Sequence, residues 1–397
     1  MRSKTLMMLP LVLALVLAAC ADDVEDTTDE TGEDVAAEAP DDEPAEAPDA
    51  PDDVVRIGVV FSQTAGAAVY GETQRQAAEL AAEEINAAGN VAIELIIEDD
   101  ASAPEQGITA YERLIQQEQV SALIGPTLSN VFFSAGPLAQ DAGIPALGVS
   151  TTADGITDIG DFIFRNALTE AQVIPDTIAA AINEFGLERV ALFHADDDAF
   201  TVSGYQIMLQ AAQDQGLEIV SDQSFATGDS DFSAQLTAAR DAEPDALFVS
   251  ALAEEGALLL TQARDLGLDV PVVGGNGFNS PAIIEQAGED AEGVLVGAAW
   301  NAAADDPLNQ AFKAAYEERT GRQPDQFAAQ SYAGVYLLAR AIEEAGSGDP
   351  QAIRDALAEM RDVETVLGTF SFTENRDADH DGVTQIIRDG RFQILTD

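Results

Sequence analysis

The chain has 397 residues, of which 72 are Asp or Glu and 18 are Lys or Arg, leaving a formal charge of −54. Lys4 and Lys313 are its only lysines. That balance excludes nucleic acid as a partner, because phosphate binding needs clustered Lys and Arg, and it would repel an anionic lipid surface.

Arg2 and Lys4 stand ahead of an apolar run from Leu11 to Ala19, which ends at Cys20, the single cysteine. A basic start, a short apolar run and small residues before the cut predict a secretory signal peptide over residues 1–19. The run falls short of the ~20 apolar residues that span a bilayer. Leu17-Ala18-Ala19-Cys20 matches the lipobox of bacterial lipoprotein signals, in which the cysteine becomes the lipidated first residue. A lone cysteine cannot form an intrachain disulfide. Cys20 is therefore the expected lipidation site, holding an exported protein at the outer face of the cytoplasmic membrane, in the periplasm or at the cell surface. Residues 20–53 follow as an acidic stretch with no Lys or Arg, broken by Pro40, Pro44, Pro48 and Pro51. Such a segment has little to bury and repels itself, which predicts a disordered tether.

From Val54 onward short Val/Ile/Leu runs alternate with Ala-rich amphipathic stretches. The first predicted strand is 55–61, followed by a helix over 72–87 that stops at Gly89. Strands at 91–97, 120–124 and 144–149 enclose helices around 105–116 and 129–141. After 162–164 the pattern restarts: helix 170–184, strand 190–193, helix 203–214, strand 217–220, helix 231–239, strand 246–249, helix 255–265 and strand 270–273. Residues 310–360 read as mostly helical, and 368–397 as short strands around an acidic turn. Continuous apolar strands separated by helices predict parallel sheets covered on both faces. Two such units in series predict an α/β fold of two doubly wound lobes.

Enzyme motifs are missing: there is no phosphate loop, nucleophile elbow or zinc-ligand spacing, so neither catalysis nor a cofactor is expected. His194 and His380 are far apart in sequence. Gly274-Gly275-Asn276-Gly277 lacks the third glycine of a dinucleotide fingerprint. Asp377-Ala378-Asp379-His380-Asp381-Gly382 copies the first half of a calcium loop, but Arg388 stands where the bidentate Glu belongs, so a surface turn is expected and no metal.

Phe61-Ser62, Tyr70-Gly71 and Ala82-Glu83-Glu84-Ile85-Asn86-Ala87-Ala88-Gly89 begin a series of short motifs that spans nearly the whole folded part. Ile124-Gly125-Pro126 with Ser129, Gly143-Ile144-Pro145 with Ser150-Thr151-Thr152, Gly274-Gly275-Asn276-Gly277 and Ala291-Glu292-Gly293-Val294 continue it in order. Phe370-Ser371-Phe372 and Asp389-Gly390-Arg391-Phe392 complete it. In this order the chain resembles the leucine/isoleucine/valine-binding protein family, the type I solute receptors of ABC importers. The resemblance implies two Rossmann-like lobes joined by a three-strand hinge, with crossings near Asn166, Gly297 and Thr369. Lobe I would comprise 54–166 and 298–368, and lobe II 167–297 and 369–397. It further implies a ligand-binding cleft. There Ser150 and Thr152 match positions that hold an amino acid's carboxylate and ammonium, Ser129 stands at a helix start where its hydroxyl suits a carboxylate, and Tyr70 matches an aromatic that packs on the ligand. Phe200 stands at the place of a frequent tyrosine, keeping an apolar lid without the hydroxyl. Asn276 stands where the family carries an acid for the ligand ammonium; Glu254 or Glu255 is a possible substitute. The implied role is a receptor that traps an amino acid, amide, urea-like solute or aromatic acid by hinge closure and delivers it to a membrane permease. A sensory module without transport is the alternative.

A globule this acidic repels itself unless ions screen it, which points to a salty working medium. The melting temperature should rise as NaCl goes from low to molar concentration; a flat profile by calorimetry would refute the halophilic reading.

Overall fold

The first strand, β1 (Val55–Phe61), is buried along nearly its whole length, as suits a strand inside a parallel sheet. The computed structural model describes residues 54–395, so the signal segment, Cys20 and the acidic tether lie outside the described residues. β1 leads into helix α1 (Ala68–Ala88), β2 (Ile93–Asp99), α2 (Pro104–Arg113), β3 (Ala122–Ile124), α3 (Ser129–Ala142), β4 (Ala146–Gly148) and β5 (Ile163–Arg165). These strands form one parallel sheet in the order β2-β1-β3-β4-β5.

The chain then crosses at Asn166, whose N–H donates to the Gly148 carbonyl at 3.0 Å and whose side-chain amide donates to the Gln330 carbonyl at 2.8 Å. A second α/β unit follows: α4 (Glu170–Phe185), β6 (Arg189–Ala195), α5 (Ala199–Asp214), β7 (Glu218–Phe225), α6 (Ser233–Asp241), β8 (Ala246–Ser250), α7 (Ala253–Asp265), β9 (Val272–Gly274), α8 (Ala282–Ala287) and β10 (Leu295–Ala298). The chain returns to the first lobe with α9 (Pro307–Thr320), α10 (Gln326–Ala345), α11 (Pro350–Glu359) and an antiparallel trio, β11 (Val363–Thr365), β12 (Gly368–Phe372) and β13 (Ala378–Asp379). It ends in β14 (Val383–Arg388) and β15 (Arg391–Ile394), antiparallel additions to the second sheet, whose order is β15-β14-β10-β9-β8-β6-β7.

Acid is used to start the helices. Asp198, Asp306, Asp325 and Asp349 cap α5, α9, α10 and α11 by accepting from backbone N–H groups, and Thr169 forms a capping box with Gln172 at α4. The first core joins Ile57, Val59 and Phe61 to Val335, Leu338 and Ile342 of α10.

Among the boundaries that differ from the sequence expectation, three bear on the lobes and the cleft. The last crossing, expected near Thr369, comes after Asp379. Phe370, Phe372 and Ala378 are buried in the first lobe's core, and the second sheet resumes only at Val383. β7 runs on to Phe225 because it is an edge strand, so its polar half, Ser221 to Ser224, needs no apolar signature. α1 begins at Ala68, so Tyr70 and Gly71 lie in its first turn rather than in a loop. Gly71 reads as a helix breaker but serves close approach: a Cβ there would lie 1.9 Å from the Ser62 carbonyl oxygen.

Candidate functional site

Open α/β sheets present their carboxyl strand ends to ligands. Here the ends of β3 and β4 in the first lobe meet the ends of β8 and β9 in the second. Between them lies a cavity of about 20 Å³ lined by Tyr70, Thr127, Leu128, Ser129, Ser150, Phe200, Leu252, Asn276, Gly277 and Phe327. Of the residues singled out from sequence, Tyr70, Ser129, Ser150, Phe200 and Asn276 share this lining. Thr152 is buried close by in sequence but does not line the cavity, and its hydroxyl has no protein partner among the described residues.

Tyr70 bridges the two lobes. Its hydroxyl donates to the Gly277 carbonyl at 2.9 Å and accepts from the Ala253 N–H at 2.7 Å, both in the second lobe. Burial pushes its phenol pKa far up, so it bridges as a neutral group. Gly277 permits the approach: a Cβ there would lie 2.3 Å from the Ala251 carbonyl oxygen and 3.2 Å from the Tyr70 hydroxyl. The Tyr70 ring packs on Phe327 with centroids 4.5 Å apart. Phe327 is set in place by Asp325, which caps α10 and accepts from Thr73 at 3.1 Å; burial raises the Asp325 carboxyl to about 6. Tyr70, Leu128 and Phe327 of one lobe thus share one apolar cluster with Phe200 and Leu252 of the other. A further tie joins the Asp154 N–H to the Ser203 hydroxyl at 3.0 Å.

The hydroxyls of the first lobe differ in what they have left to offer. Ser150 donates to the Thr127 carbonyl at 2.7 Å and accepts from Gln74 Nε2 at 2.8 Å, so its proton is committed and only a lone pair remains. Thr127 is committed too, accepting from the Ser62 N–H at 3.0 Å and donating to Gln74 Oε1 at 2.7 Å. Ser129 is the first residue of α3 rather than its cap. Its Oγ accepts only a long bond from the Ala153 N–H at 3.3 Å, leaving its O–H free to donate. A helix start with a free hydroxyl suits a carboxylate.

Asn276 belongs to an amide chain whose direction is fixed at one end. Gln326 Oε1 accepts from the Ala299 N–H at 2.6 Å, so its Nε2 must face Asn276 Oδ1, at 2.7 Å. That oxygen also accepts from Asn279 Nδ2 at 3.3 Å, and Asn279 in turn accepts from Gln385 at 2.8 Å. The Asn276 N–H donates to Glu170 Oε1 at 3.0 Å. Glu170 is buried, its second oxygen has no protein partner among the described residues, and burial lifts its pKa to about 7. Neither candidate substitute acid lines the cavity. Glu254 is exposed, and Glu255 Oε1 is taken by the Gly228 N–H at 2.9 Å.

Away from the cleft, the His194 ring stacks on Tyr205 at 3.9 Å, and Asp377 pairs with the buried Arg165 at 2.5 Å. Sequence reasoning missed five lining residues: Thr127, Leu128, Leu252, Gly277 and Phe327. Leu252 follows β8 as Ser129 follows β3, so the strand-end rule could have found it. Phe327 had no local signal, since only the packing of α10 on α1 brings it to the cleft.

Two doubly wound lobes meeting over such a lining make a bilobal binding protein. A family model described as "Periplasmic binding protein" matches residues 54–390, and the chain belongs to that family. It is 28% identical over 329 residues to a leucine-, isoleucine-, valine-, threonine- and alanine-binding protein of Pseudomonas aeruginosa, covering 82% of this chain and 87% of that one. The crystal structure of the branched-chain amino acid transporter substrate-binding protein LivJ from Streptococcus pneumoniae, in complex with isoleucine, matches with a TM-score of 0.80 at 28% identity, over 86% of this chain and 99% of that one. A solute-binding protein of an ABC transporter from Rhodopseudomonas palustris, in complex with 3,4-dihydroxybenzoic acid, matches with a TM-score of 0.76 at 25% identity, over 85% of this chain and 95% of that one.

Tyr70→Phe removes the bridging hydroxyl but keeps the ring on Phe327. It leaves the Ala253 N–H and the Gly277 carbonyl without their partner, at ~1–3 kcal/mol for an unpaired buried group. Hydrogen exchange at the Ala253 amide should accelerate about tenfold, a factor worth ~1.4 kcal/mol. An unchanged rate would remove Tyr70 from the latch.

Proposed function

We propose that this protein is the extracytoplasmic solute-binding receptor of an ABC importer, held at the membrane by a lipid on Cys20. It takes an amino acid or a related small solute (an amide, a urea-like compound or an aromatic acid) between its lobes. Hinge closure then presents the loaded form to a permease. The observation that carries this reading is the Tyr70 hydroxyl, which grips two backbone groups of the opposite lobe at the edge of the cavity. A contact of that kind exists only when the lobes are together. The cavity of about 20 Å³ has room for about one water, so any larger solute requires the lobes to part for entry. The lining supports the solute class: free donors at the start of α3 face apolar walls from Phe200, Leu252 and Phe327. The family relatives are solute-binding proteins rather than enzymes.

A thermal-shift panel of amino acids, amides and small carboxylic acids at molar salt tests the receptor role. A solute present at a hundred times its Kd should stabilise the protein by ~2.7 kcal/mol, which reads as an upward shift in melting temperature. A panel in which no member shifts the transition would sink the cleft as a solute site. For the anchor, Cys20→Ser should leave the melting curve unchanged and move the protein from the membrane fraction to the soluble fraction on centrifugation. Retention of the variant in membranes would assign anchoring to the apolar run instead.

A further inference from the structure

The cleft residue that departs from the resemblance, Asn276, differs in polarity as well as in charge. Its Oδ1 receives two protein donors, Gln326 Nε2 at 2.7 Å and Asn279 Nδ2 at 3.3 Å. Both donors are oriented independently of Asn276. The Ala299 N–H holds Gln326 Oε1 at 2.6 Å, and Asn279 uses the same Nδ2 to reach the Gly297 carbonyl at 2.8 Å while its Oδ1 accepts from Gln385. Flipping the Asn276 amide would set its N–H groups against two N–H donors, so the chain of amides fixes it. What remains for the cleft is the Asn276 Nδ2, a donor with no protein acceptor among the described residues. An acid at this position would offer an oxygen there instead.

No acid of the cavity lining stands in for it. The cavity lining contains no Asp, Glu, Lys or Arg. The carboxyl closest in the network, Glu170, faces the backbone N–H of Asn276 rather than the cavity. Its neighbours include Gly204 on α5 and Gly275 on the β9 loop, with the Ser250 hydroxyl close to both. An ammonium desolvated beside Asn276 would meet a donor and no carboxylate of the lining, which disfavours it. A hydroxyl or carbonyl oxygen in the same place would meet the donor it needs.

We infer that the solute of this cleft carries a hydrogen-bond acceptor, and no ammonium, at Asn276. The solute class is then a small carboxylic acid with an apolar body: a plain, 2-hydroxy or 2-oxo acid, branched or aromatic, rather than an α-amino acid. The carboxylate goes to the Ser129 hydroxyl and the start of α3; the apolar body goes between Tyr70, Phe200 and Leu252.

The inference rests on the receptor reading and is tested so that the two can fail separately. Isothermal titration at molar salt compares L-leucine with its 2-hydroxy and 2-oxo analogues, which share its carbon skeleton, and with 4-hydroxybenzoate. At least one of the three ammonium-free acids should bind a hundredfold or more tighter than leucine. In Asn276→Asp the second carboxylate oxygen replaces the amide nitrogen while the first keeps its donors from Gln326 and Asn279. That variant should gain at least tenfold for leucine and lose a similar factor for the 2-oxo acid. Leucine binding as tightly as its analogues in the parent protein would overturn the inference and leave the receptor reading intact. The parent comparison needs no variant, so a misfolded Asn276→Asp would not shelter the idea. Should none of the four probes bind the parent, leucine binding by the folded variant alone would still uphold the role of Asn276, and its absence there would end it.

Discussion

The contact between the two lobes at the cleft centres on one side chain, Tyr70. Its hydroxyl donates to one backbone group of the second lobe and accepts from another, so a single oxygen satisfies two backbone groups that would otherwise be stranded at the end of β8 and in the β9 loop. That geometry needs three supports. Gly71 lets α1 lie against the Ser62 carbonyl, Gly277 lets the opposite loop reach the hydroxyl, and Phe327 backs the ring. A Cβ at either glycine would collide with backbone, which cannot swing away as a flexible side chain can. The latch is therefore a property of backbone placement as much as of tyrosine chemistry.

The charge of −54 is distributed in a way that serves the fold where it can. Asp side chains start four helices, and Asp99 and Asp100 hold the loop after β1 through Gln63, Thr64 and Ser62. Most ion pairs are exposed and contribute little individually; the exception in burial is Arg165 with Asp377, which joins the end of β5 to the β12–β13 turn. The half calcium loop legible in the sequence is thus partly consumed as structure, with its first acid spent on an arginine. In a chain with so few cations, some arginines tie together segments distant in sequence, as Arg319 does between α9 and the two glutamates Glu79 and Glu83 of α1.

The cleft combines groups that are finished with groups that are not. Thr127, Ser150 and Gln74 satisfy one another and make a rigid floor. Among the described residues, the Ser129 hydroxyl and the amide nitrogen of Asn276 keep capacity unused by the protein. Binding free energy comes from groups of the second kind, because satisfying an already buried group avoids a desolvation cost. Selectivity comes from the first kind, which fixes where the free groups sit.

The sequence by itself determined the α/β class, the two-lobe repeat and most strand positions, since apolar runs between amphipathic stretches are a local signal that burial on both faces imposes. The family resemblance carried by its short motifs also brought Ser129, Ser150, Phe200 and Asn276 into view, and these positions follow strand ends, which are local too. Edges and crossings were less legible: the polar half of β7 has only one neighbour to satisfy, and Phe370 and Phe372 look alike whichever lobe buries them. The tertiary structure alone decided that Ser150 has no proton to give, that Glu255 is turned to Gly228, and that Asn276 shows a donor to the cleft. Those facts depend on partners 23 to 106 residues away, Thr127, Gln74, Gly228, Gln326 and Gln385 among them, and a hydrogen bond's direction is set by its partner rather than by the residue's own name.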